Sequence, residues 1–174
     1  MIGCFLLPIS QAFLLQSEER RGVESIVSFG ERISLKLSGA DCNGGCTIFE
    51  NVTPPKAGPP LHRHSRQDEW FYILEGDYLF EVEGKQMTAG PGCSAFAPRG
   101  TAHTFQNLSS SPSRMIVVSQ PAGMDMFFNE LSAAMKDMRE PDMSVLMPIF
   151  EKHGIEFLGP PLAARAKATT ESAS

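Results

Sequence analysis

The sequence predicts an all-β, barrel-like domain followed by two α-helices. Three observations carry that reading. Between residues 12 and 120, apolar residues recur at every second position in short runs bounded by Gly, Pro, Asn or Asp. Pairs such as Gly84-Lys85 read as tight hairpins between those runs. After Ala122 the apolar period lengthens to that of a helix.

Taken in order, residues 1–11 are an apolar N-terminal arm and residues 12–15 a first strand. Pro8 interrupts that apolar run, which is too short to span a membrane, and no Lys or Arg precedes Arg20. The expected location is therefore the cytoplasm, with export as the alternative. Strands are expected over 23–29 and 33–37, turned at Gly30-Glu31, and over 46–52 after the Asn43-Gly44-Gly45 turn. Residues 53–60 contain four prolines, which cannot join a central ladder, so this segment should run along a barrel rim. Further strands are expected over 70–74, 78–83, 86–89, 94–97, 102–107 and 114–120.

Helical spacing of Met126, Phe127, Glu130, Leu131, Ala134 and Met138 predicts a first helix ending at Pro141. A second should start at Asp142 or Met143 and end at His153-Gly154. The methionines along both helices are expected to pack on the barrel, and His153 to be a helix-end cation. The domain reading is thus a barrel over 12–121, helices over 122–160 and a disordered tail over 161–174, with no repeat and no second domain.

Composition limits the functions available. The chain of 174 residues is 42% hydrophobic and 20% charged, ordinary for a globular domain. A net charge of −5 argues against nucleic acid, which calls for a basic stripe. Four cysteines, at 4, 42, 46 and 93, show no zinc spacing. Cys42 and Cys46 read as reduced thiols flanking a turn, and Cys93 as a small apolar filler.

Chemistry concentrates in residues 58–107. His62 and His64 are two apart, so on an extended segment both imidazoles share a face. Glu69 shares a face with Phe71 and Ile73, opposite Trp70, Tyr72 and Leu74. His103 opens another short strand after the Pro98-Arg99-Gly100 turn. Three imidazoles and a carboxylate suit a first-row divalent metal.

These residues resemble the cupin superfamily. His62, His64, Glu69 and Gly76 match its first motif in type and spacing. Gly92, Pro98, Gly100, His103 and Asn107 match the second. The wording around them is similar to small single-domain cupins of the quercetin 2,3-dioxygenase type, over roughly residues 12–162. The resemblance implies a double-stranded β-helix (jelly-roll barrel) with two C-terminal α-helices. It also implies one divalent metal (Fe, Mn, Ni, Co or Cu, with Zn admissible) on His62, His64, Glu69 and His103. By analogy with such cupins, the chain is expected to be a homodimer.

The expected activity is dioxygen-dependent cleavage of a flavonol- or catechol-like small molecule, with Glu69 as general base. Phe71, Ile73 and Phe105 are candidate walls of the substrate pocket. Two other classes use the same ligands: a metal-dependent isomerase or lyase of a small carbonyl compound, and a non-enzymatic binding cupin.

Overall fold

A computed structural model describes residues 11–17, 19–21, 26–136, 138 and 142–165. The arm at 1–10 and the tail from 166 onward lie outside the described residues. Eleven strands and two helices follow one another as β1 (Ile26–Ser28), β2 (Glu31–Leu37), β3 (Thr47–Thr53), β4 (Leu61–His64), β5 (Asp68–Glu75) and β6 (Tyr78–Val82). Then come β7 (Lys85–Ala89), β8 (Ser94–Ala97), β9 (His103–Asn107), β10 (Ser113–Gln120), α1 (Met124–Met135), α2 (Met143–Lys152) and β11 (Ile155–Gly159).

Two antiparallel sheets result, ordered β1-β2-β3-β10-β5-β8 and β11-β4-β9-β6-β7. Non-sequential neighbours such as β3-β10-β5 and β4-β9-β6 are the crossovers of a jelly roll. Alternation along β5 places Glu69, Phe71 and Ile73 inside, with Trp70, Tyr72 and Leu74 outside, as expected.

Two apolar clusters fill the interior. One, built on Phe71, Ile73, Tyr78, Phe80, Phe105 and Met115, lies between the sheets. The other joins Phe49 and Ile155 to Phe127, Leu131, Leu146 and Phe150 of the helices. The apolar stripes of α1 and α2 thereby cover one side of the barrel instead of standing free.

Several expectations need correction. Residues 12–15 join no ladder, and Leu14 is 80% exposed, because no neighbouring edge is hydrogen-bonded to them. The first two-residue turn is Phe29-Gly30 and a later one Glu83-Gly84, each one position earlier than expected, since both residues of each pair take positive φ. Helix α1 ends at Met135; Met138 donates only a turn bond to the Met135 carbonyl.

The methionines divide. Met124 is buried, whereas Met126 and Met143 face solvent. Cys93 is exposed and fills no core, because it sits in the turn leading into β8. Residues 155–159 form a strand on the sheet that carries the histidines, so the helical segment stops before residue 160. Residues 162–165 form a helical turn with Leu162 buried and Arg165 bonded to Glu81 at 2.8 Å, so residues 161–165 are ordered against the barrel, not part of a disordered tail.

Candidate metal centre

His62 and His64 stand on β4, between β11 on one side and β9 on the other. The rim segment delivers them. A Cβ on Gly58 would overlap the Phe105 carbonyl, so only glycine lets this backbone lie against β9. The next residues are fastened there by Thr104 Oγ1, which donates to the Pro59 carbonyl at 2.7 Å.

His62 then faces His103 directly across the β4/β9 ladder, and β11 sets Phe157 opposite His62 and Ile155 opposite His64. The Pro98-to-Thr101 turn is held by the Gly100 amide, which donates to the His64 carbonyl at 2.7 Å. Arg99 adds side-chain bonds to Asp68 of 2.8–3.0 Å. Glu69 comes from the other sheet, paired with Ala97 and Ser119.

The four ligand atoms lie within 4.8 Å of one another. Glu69 Oε2 is 3.0 Å from His103 Nε2 and 3.3 Å from His64 Nε2. The outward nitrogens are engaged: His62 Nδ1 bonds the Pro60 carbonyl at 2.8 Å and His103 Nδ1 the Thr101 carbonyl at 2.9 Å. A carbonyl accepts only, so each Nδ1 carries a proton and each Nε2 is turned toward the cluster. That is the ring orientation a metal ligand needs. His64 is buried with neither ring nitrogen in an aligned hydrogen bond among the described residues. An orphaned buried imidazole beside a carboxylate fits a cation at the centre.

The electrostatics agree. Burial lowers the His62 pKa, and its imidazole neighbours His103 and His64 lower it further, keeping it neutral and able to coordinate a cation. For His103 burial acts downward, but the hydrogen bond and charge of Glu69 outweigh it and raise the pKa. Burial would raise Glu69; His64 and His103 together hold it well below the usual carboxylate range. The site therefore offers an ionised oxygen ligand at neutral pH.

Beside the cluster lies a cavity of about 80 Å³, lined by His62, His64 and Glu69 together with Phe71 and Phe105. Ile73 is fully buried in the inter-sheet cluster and does not line it. Much of the remaining wall comes from outside the motifs: Phe127 of α1, Phe150 of α2 and Phe157 of β11. The helical spacing of the first helix includes Phe127, but nothing in it told whether the ring faced core or cavity. Asn107, at the end of the second motif, touches no ligand. Its amide donates to the Thr53 and Ser111 carbonyls and accepts from Ser109 N and Ser113 Oγ, all at 2.8–2.9 Å.

A cupin domain family model matches residues 50–119, which contain all four clustered residues. The chain carries a cupin domain. The chain is 29% identical over 65 residues to an oxalate-binding protein of Thermotoga maritima, covering 37% of this chain and 54% of that one. It is 31% identical over 70 residues to a quercetin 2,3-dioxygenase of Bacillus subtilis, covering 40% and 20% respectively. The matched stretches span between 20% and 60% of the length of the curated relatives. A cupin structure from Shewanella frigidimarina, described as RmlC-like, superposes with a TM-score of 0.54 at 19% identity over 67% of this chain and 98% of that one. It supports the fold alone. No helix among the described residues is long and apolar enough to cross a membrane.

Proposed function

We propose that this cupin holds one divalent transition metal (Fe, Mn, Ni, Co or Cu, with Zn admissible) on His62, His64, Glu69 and His103. Loaded, it acts as a dioxygenase on a flavonol- or catechol-like small molecule. The observation that carries the reading is the cavity: a metal cluster opening onto an aromatic-walled space suits a flat apolar chelator. The similarity to a quercetin 2,3-dioxygenase points the same way.

When bound, the metal supplies Lewis acidity and a place where substrate oxygen and dioxygen can meet. The protein's part is separable from that. Phe71 and Phe105 hold the ring and keep water out, and the ionised Glu69 stands ready to accept the substrate's hydroxyl proton. Its lowered pKa makes it a weak base in the resting site.

A second reading is a binding cupin without turnover, favoured by the similarity to an oxalate-binding protein. The apolar wall is a poor host for a small dianion, which places this reading second. An isomerase or lyase of a small carbonyl compound would use the same ligands without consuming dioxygen.

The deciding experiment is elemental analysis of protein purified without chelator, followed by oxygen-electrode assays with flavonols and catechols. A transition metal near one per chain with substrate-dependent oxygen uptake supports the dioxygenase. Full metal loading with no uptake across the panel refutes it and leaves the other two classes. We also place the protein in the cytoplasm as a homodimer. The exposed outer-face aromatics Trp70, Tyr72 and Phe96 offer an apolar pairing surface, which light scattering of the purified protein checks.

A further inference from the structure

The cavity has a second polar pole, on the wall made by β2 and β3. Glu31 and Asn51 both line it, with exposures of 3% and 8%. Asn51 pairs with Ile33 across the β2/β3 ladder, and Glu31 lies two residues before Ile33, on the same face. The Glu31 carboxyl is anchored from behind: Thr53 Oγ1 donates to it at 2.6 Å, and that hydroxyl accepts from Tyr78 OH at 3.2 Å.

Burial pushes the Glu31 carboxyl up to about 7, against the opposing hydrogen bond from Thr53. Asn51 Oδ1 is buried without a partner among the described residues. A buried amide oxygen left unpaired costs about 1–3 kcal/mol, and folds rarely carry that cost in an apolar wall without use. Here the wall around it includes Phe49 and Phe127.

We propose that Asn51 determines ligand specificity by accepting a hydrogen bond from a second hydroxyl of the ligand, separate from its metal-binding oxygens. The ligand class is accordingly an aromatic chelator that carries at least one further hydroxyl. This rests on the metal-chelating reading of the site. A pocket built around a hydrogen bond discriminates strongly against an analogue lacking the group, because the protein atom is then left unpaired.

The test uses metal-loaded protein, with metal content measured in every sample. Calorimetry compares 3-hydroxyflavone with flavonols carrying one further ring hydroxyl at each position in turn. The wild type should bind at least one of these about tenfold or more tightly than 3-hydroxyflavone. Asn51→Leu should bring that ratio to about one. Asn51→Ala also removes the acceptor, so it should lower the ratio too, and it serves if Asn51→Leu fails to fold.

No preference in the wild type overturns the inference, as does a preference that survives both substitutions. Binding of no flavonol by fully metallated protein also overturns it. Failure of the underlying metal site shows separately, as absence of metal from the wild type.

Discussion

His103 Nε2 lies 3.0 Å from Glu69 Oε2, although the two residues belong to different sheets. The centre therefore spans the gap between the sheets, with three imidazoles from one and a carboxylate from the other. Bringing them together depends on the sheets packing, so metal binding is linked to folding of the whole domain.

The first prediction follows from that linkage. His103→Ala and His62→Ala should each lose most of the bound metal while keeping the β-rich circular dichroism of the wild type. Stripping the wild type with a chelator should lower its melting temperature, because a ligand that binds only the folded state stabilises it by mass action. In His103→Ala the chelator should produce little further change. Elemental analysis beside thermal melts checks both; metal content unchanged in His103→Ala would remove that residue from the ligand set.

Much of this centre is legible in the chain. The two-residue spacing of His62 and His64 fixes their common face, and alternation along β5 fixes Glu69 inside. What local periodicity cannot carry is which distant segment closes a sheet. The Ile-Glu-Phe-Leu run at 155–158 has the alternation of a strand, but it follows a helix cap and reads as an ending until β4 is seen to need a second neighbour. Glu31 gives no signal either. A glutamate beside a turn glycine reads as solvated, and only tertiary packing makes it 3% exposed.

Asn107 is predicted to act on the barrel and not on the metal. Its side chain makes four hydrogen bonds that tie β9 to the Thr53 carbonyl and to the 109–113 turn. Gly76 packs in the same corner, where a Cβ would overlap Ser113 Oγ. Asn107→Leu leaves several buried polar groups unpaired and should cost about 3 kcal/mol or more by denaturant unfolding. Whatever fraction folds should still bind metal. Loss of metal from a variant of wild-type stability would contradict this assignment.

The helices should matter to stability and ligand together. Phe150 is 3% exposed, with its ring centroid 5.1 Å from that of Phe127 and 4.5 Å from that of Phe157. Phe150→Ala removes a ring from both the core and the cavity wall. It should destabilise by about 3–5 kcal/mol. It should also weaken binding of an aromatic chelator, measured on protein shown to be folded, while metal content stays near that of the wild type. A variant of unchanged affinity would show that α2 covers the barrel without shaping the ligand space.

Glu31 gives the chain a pH dependence that can be isolated in metal-free protein. Its folded pKa, about 7, lies above the 4.5 of the free group, with burial as the main cause. The folded state thus holds the proton more tightly than the unfolded chain. Its stabilising contribution is complete below about 4.5 and is lost as pH rises through about 7. A shift of this size corresponds to about 3 kcal/mol across that window. Glu31→Gln has no proton to lose, so the difference in unfolding free energy between variant and wild type should move in favour of the variant from pH 5 to pH 8. A difference that is flat across that range would mean that Glu31 ionises in the folded protein as readily as in water, and that its side chain is solvated, not buried against Thr53.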